Sequence, residues 1–108
     1  MKNITVPVNE DAMSRLDYDN CEPDDLIELF INDDEFNSLW KSGVFEKFND
    51  KFSMHIDDYE DESLMGLDNL LAAKEMLESI KSEDKTFLDL KAMFDKAVEC
   101  NTGVFFFF

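Results

Sequence analysis

Gly103-Val104-Phe105-Phe106-Phe107-Phe108 is the stretch on which the reading of this chain turns. Each phenylalanine buries on the order of 150–250 Å² when packed, so the run carries a large part of the hydrophobic drive open to a chain of 108 residues. It is too short to cross a bilayer as a helix, which needs about 20 apolar residues, and no basic flank holds it at a membrane surface. The stretch therefore reads as a buried strand. Being apolar on both faces, it belongs in the interior of a sheet with helices or loops covering each side.

Working back from this run, Asn101 and Gly103 are helix-stop residues, and Phe87, Leu90, Met93, Phe94, Ala97 and Val98 recur at helical spacing before them. A turn at Ser82-Glu83-Asp84 separates that helix from another, in which Leu64, Leu67, Leu70, Leu71, Met76, Leu77 and Ile80 follow the same period, with Ser63 or Asp61 as its cap. Phe52, Met54 and Ile56 alternate with Ser53 and His55, the period of a half-buried strand. Residues 23–50 read as helical in two or three pieces. Pro23 suits a first helical position ahead of Leu26, Ile27, Leu29, Phe30 and Ile31, and Asn32-Asp33-Asp34-Glu35 resembles a capping box before Phe36, Leu39 and Trp40. Gly43 then breaks the run ahead of Val44, Phe45 and Phe48. Near the start, Ile4-Thr5-Val6-Pro7-Val8 suits a short strand that Pro7 confines to an edge or a strand end, and Asn9 caps a helix over residues 10–16. The order predicts an α+β fold and a single domain over residues 1–108: a small three-stranded sheet packed with four to five helices, the C-terminal Phe-rich strand in the core. A helix-dominated fold with one hairpin is the alternative.

Charge sets the function class. The chain has 26 acidic and 10 basic residues, net −16, a field that repels nucleic acid and anionic membrane and favours cationic partners. Residues 1–40 hold eleven acids against two bases, and residues 57–68 hold six acids and no base, so the excess is concentrated in two segments. The first residues contain no apolar run of signal-peptide length, which predicts a cytoplasmic protein. Cys21 and Cys100 lie far apart without metal-ligand spacing and are expected as free thiols.

The candidate site is the acidic run Asp57-Asp58-Tyr59-Glu60-Asp61-Glu62, in which one aromatic is embedded among carboxylates, a composition suited to a basic surface with one anchoring ring. Asp24, Asp25, Asp33, Asp34 and Glu35 form a second acidic cluster that would add to the first if both share a face. A solvated loop and favourable helix-start charge are the plainer explanation of both. Calcium is disfavoured because the run lacks the alternating acid spacing and central glycine of an EF-hand loop, and no metal or other cofactor is expected. His55, the single histidine, lies in a strand pattern without a nucleophile motif or phosphate loop beside it, so no catalytic residues and no enzyme are expected. Asp61-Glu62-Ser63-Leu64 loosely resembles the serine site of acyl-carrier proteins, with Glu62 where the usual Asp stands.

With the acidic stretch from Ser53 to Glu62, the two helices after it, and the ending Asn101-Thr102-Gly103-Val104-Phe105-Phe106-Phe107-Phe108, the second half of the chain resembles the small acidic immunity proteins of bacterial polymorphic toxin and contact-dependent growth inhibition systems. The resemblance implies a cytosolic antitoxin without chemistry of its own, whose partner is a cognate toxin C-terminal domain, a basic nuclease more often than any other kind. A nuclease needs basic surface to hold phosphates, which suits an inhibitor of net charge −16. The alternative from another class is a DNA-mimic inhibitor of a restriction or CRISPR enzyme, which would need carboxylates spaced like duplex phosphates along an elongated surface.

Overall fold

The computed structural model describes residues 2–57 and 61–108. Strands β1 (Lys2–Pro7), β2 (Leu26–Ile31), β3 (Glu62–Met65) and β4 (Gly103–Phe107) form one sheet in the order β2-β1-β4-β3, every neighbouring pair antiparallel. Around it stand helices α1 (Glu10–Asp17), α2 (Asp33–Ser42), α3 (Val44–Phe52), α4 (Leu67–Ser79) and α5 (Lys85–Cys100). The class is α+β, with four strands where the sequence reading has three.

Register decides what each side of the sheet faces, because residues directly opposite on antiparallel neighbours project to the same side. Ile4 lies opposite Leu29 and Phe106, and Val104 opposite Leu64. Ile4, Val104, Phe106 and Leu64 of this set are buried, under the apolar sides of α2, α3 and α5. Phe106 meets the rings of Phe45 and Phe48 at 6.3 and 6.1 Å between centroids, and Phe48 stacks on Phe94 at 5.4 Å. Phe108 continues the same side, edge-on to Phe36 at 5.2 Å. Edge-to-face and offset pairs of this kind add to plain burial because ring edges and faces carry opposite partial charge.

The other side carries Asn3 opposite Phe30 and Phe107, and Thr5 opposite Glu28 and Phe105, with Ser63 next to Phe105. Of the helices, α1 lies over it, beside Ser63, Met65 and Phe105. Phe105 and Phe107 are only half-buried there, with rings aligned at 6.2 Å, and Phe30 is 52% exposed. The expectation that both faces of the Phe run are covered holds for one face and only in part for the other.

Three local expectations are corrected. Residues 26–31 are a strand and not a helix: Asp24 takes a left-handed φ of 68°, which stops a helix from Pro23, and the six residues are nearly continuously apolar, with Ile27 and Ile31 β-branched. The alternation at Phe52, Met54 and Ile56 is not a strand either. Phe52 ends α3, Ser53 turns the chain at φ 53°, and Met54 and Ile56 are buried in an extended connector. Its backbone groups are met by side chains: Asn49 brackets Ile56 by accepting from its N–H at 2.8 Å and donating to its carbonyl at 3.2 Å, and Glu62 accepts from the His55 N–H at 2.7 Å. Finally, Ser63 and Leu64 lie within β3, and the next helix starts at Leu67 after Gly66, so neither Ser63 nor Asp61 caps it.

Other local rules hold. Asn9 caps α1 by accepting from the Ala12 N–H, and Asn32 and Glu35 form a reciprocal capping box on α2 at 2.8 and 2.9 Å. Gly43 joins α2 to α3 at φ 83°, a conformation that penalises any residue with a Cβ. Gly103 is required for a different reason. A Cβ there would stand 2.7 Å from Met65 Cγ and 2.8 Å from the Leu64 carbonyl oxygen, so β3 and β4 approach each other through the missing side chain.

Candidate functional site

The sheet register places the acidic clusters. Phe107 is opposite Asn3, and Asn3 opposite Phe30, while β3 begins one residue further along at Glu62, opposite Phe106. The start of β3, the end of β4 and the end of β2 are therefore at one end of the sheet. Asp61 and Glu62 emerge there from one edge strand, and Asp33, Asp34 and Glu35 follow β2 on the other. Three strand spacings separate the two edges, about 14 Å. Asp33 and Asp34 are exposed in the first turn of α2, where their charge also suits the helix dipole. The Glu35 carboxylate is used in the capping box and stands 3.5 Å from the Thr86 hydroxyl. Asp57 is exposed in the connector before β3, whereas Asp58, Tyr59 and Glu60 lie outside the described residues.

Asp24 and Asp25 sit at the opposite end, ahead of β2. Asp25 is 5% exposed, and its carboxylate accepts from Arg15 Nε and Nη2, both at 2.7 Å, and from the Glu22 N–H at 2.7 Å. The Arg15 hydrogen bonds, followed by the Glu22 N–H, hold its pKa down at about 2, and the same pair raises that of Arg15. This carboxylate serves the fold: it fastens α1 to the start of β2. Of the second cluster, Asp24, Asp33 and Asp34 remain exposed to solvent.

A groove absent from the sequence reading lies on the incompletely covered side of the sheet. A concavity of about 320 Å³ runs between α1 and the β3–β4 pair, lined by Met13, Ser14 and Asp17 on the helix and by Ser63, Met65 and Phe105 on the strands. Beyond Ser63 and Phe105, which it shares, a shallower extension of about 160 Å³ reaches Phe107, Asp61 and Glu62. Phenylalanine rings line both depressions, with Asp17 on the first and Asp61 and Glu62 on the second. No lysine or arginine among the described residues pairs with Asp17 or Asp61, whereas Lys74, Lys85, Lys91 and Lys96 are all paired with acids on α4 and α5.

Two signals for this groove are present in the sequence. Within a strand, the odd-numbered phenylalanines must face away from the even-numbered ones, and only one face can take the main core. Asp17 also ends a helix, where a negative charge opposes the macrodipole. Among the described residues, no three of His, Cys, Asp and Glu converge in a way that could hold a metal ion, and no helix is long and apolar enough to cross a membrane. Cys21 and Cys100 are free thiols. No protein family, curated protein or solved structure matches the chain.

Proposed function

We propose that this protein is an inhibitor of the immunity type, which binds a cognate toxin domain, a basic nuclease, and covers the surface on which that enzyme holds its phosphate substrate. The observation that carries the reading is the juxtaposition of half-buried phenylalanines with the carboxylates of Asp17 and Asp61, which no base among the described residues pairs, on the side of the sheet that the helices leave incompletely covered. Carboxylates alone would give fast, salt-sensitive encounter, because charges beyond about 8 Å are screened at physiological ionic strength. An aromatic floor adds affinity that salt does not remove. Asp61 and Glu62 border this surface, Asp33 and Asp34 stand at the same end of the sheet at the head of α2, and Asp57, Asp58, Tyr59 and Glu60 precede β3 in the sequence.

The shape favours this reading over a DNA mimic. The chain extends 34 × 29 × 24 Å, nearly isometric, whereas a duplex mimic needs a long row of charges. The carrier reading is disfavoured because Ser63 lies within a strand, with its side chain toward the groove, and not at the head of a helix. The test is co-expression with the product of the gene directly upstream, which this reading expects to carry the toxin domain. The wild-type chain restores growth and forms a complex, and Lys replacements of Asp57, Asp58, Glu60 and Asp61 abolish protection while the protein stays folded. Unchanged protection by that variant overturns the surface, and failure of the wild type to protect overturns the inhibitor reading.

A further inference from the structure

We propose that the groove between α1 and the β3–β4 pair seats an arginine side chain presented by a basic segment of the protein partner. The proposal rests on the inhibitor reading for the partner's charge, and on the groove itself for the side chain. At about 320 Å³ the groove is at the small end of ligand pockets, about 300–1,000 Å³, room for a side chain and its neighbours but not for a folded element. Its walls suit an aliphatic stem: Met13 and Met65 are flexible thioethers that adapt to what lies between them, and Met65 is 46% exposed. Its floor is the ring of Phe105, against which a planar guanidinium can lie, gaining from the negative face of the ring. Asp17, which lines the groove, and Asp61, which lines the neighbouring depression, offer carboxylates, either of which the fork of a guanidinium matches with paired hydrogen bonds. A lysine could place its charge there but would neither stack nor fork.

The position of Asp17 strengthens the assignment. It closes α1 with the sign of charge that the helix end disfavours, and the base of that last turn, Arg15, has its guanidinium engaged by Asp25. A cation from outside the chain supplies what the fold does not. A second copy of this chain is a poor occupant, since two molecules of net charge −16 repel.

The probe is a short acetylated peptide with one arginine flanked by leucines, compared with its lysine and citrulline counterparts, titrated into the isotope-labelled full chain. The arginine peptide shifts the amide signals of Met13, Ser14, Asp17, Ser63 and Met65, and the neutral citrulline peptide binds about tenfold more weakly, the scale of a lost charged hydrogen bond. Asp17→Asn weakens the arginine peptide by a similar factor without lowering the melting temperature, because it removes an unfavourable helix-end charge. Phe105→Leu keeps the floor apolar and removes the stacking surface, which brings arginine and lysine peptides closer in affinity. Ser63→Arg places the chain's own guanidinium in the groove and abolishes the shifts. Equal binding of the citrulline peptide, shifts elsewhere on the molecule, or wild-type binding by both Asp17→Asn and Ser63→Arg would each overturn the seat. The two readings fail separately. If Ser63→Arg still neutralises the toxin fully, the seat is wrong and the inhibitor stands; if the peptide seats in the groove but the wild type protects against no toxin, the inhibitor reading falls alone.

Discussion

Strand β4 presents phenylalanine to both sides of one sheet, and the two sides have opposite fates. Val104 and Phe106 are fully buried among rings from α2, α3 and α5, whereas Phe105 and Phe107 stand half-buried beside a groove. Residue type is the same, so composition cannot separate them; the phase of the strand does. One side spends its aromatic area on the core, and the other keeps part of it available. Carboxylates follow the same division. The Asp25 carboxylate is bound inside the chain by Arg15, and those of Asp17 and Asp61 border the half-open side with no base among the described residues paired to them.

The largest expected effect tests the covered side. Phe106→Ala removes a side chain that contacts Phe45, Phe48 and Phe108, and should cost about 3–5 kcal/mol, the usual range for a core phenylalanine. Phe107→Ala, next in the strand but on the opposite side, should cost about 1–2 kcal/mol because only part of its area leaves water on folding. Urea unfolding of both variants measures the difference. Equal losses would break the distinction between the two sides.

Much of the fold is legible in the residues, and the errors have physical causes. Asn9, Asn32, Gly43 and Asn101 mark helix ends because each supplies a cap or a left-handed turn, and those marks depend on neighbours within a few residues. The segment Leu26–Ile31 misleads because a short apolar run fits a buried helix as well as a strand, and only its partner β1, distant in sequence, decides. Met54 and Ile56 mislead because alternate burial needs no ladder when Asn49 can satisfy the backbone in its place. The acidic loop is visible as composition. The place of Asp61 and Glu62 at the same end of the sheet as the start of α2, and the groove beside them, depend on the order β2-β1-β4-β3, a long-range fact with no local signature.

An intermediate effect concerns the link that holds α1 in place on the half-open side. With its folded pKa held down at about 2 by Arg15, against an ordinary 3.8, Asp25 contributes stability that is complete above the unfolded value. That contribution fades as pH falls through the interval between the two. Asp25→Asn should therefore be less stable than wild type at about pH 5, and the gap should close as pH approaches about 2. Thermal melts of both proteins across this range give the measurement, the variant serving as control for the other carboxylates. Hydrogen exchange should locate the loss at α1, whose amides open first when the tether is gone. A gap that stays constant, or one spread over α2, α3 and α5, would mean that α1 is held by something other than this pair.

The smallest effect bears most directly on whether the exposed aromatics are kept for the fold at all. Phe30 projects from β2 on the same side as Phe107 and is half exposed, with the small polar Asn3 between them. Exchanging it for threonine puts a β-branched residue suited to an edge strand in its place and removes only area that water already reaches in part. Phe30→Thr should change stability by no more than about 0.5 kcal/mol, as for surface positions without special contacts. Asn3 would keep its own hydrogen bond to Glu28 at 2.7 Å, so no polar group is orphaned. If the variant melts as wild type while toxin binding weakens, Phe30 extends the docking surface past the groove toward the β2 edge. If binding is unchanged as well, the functional part of the face ends at β4. A loss of stability near that of Phe106→Ala would instead show that the half-open side is a second core, and the contrast between the two faces of β4 would fail.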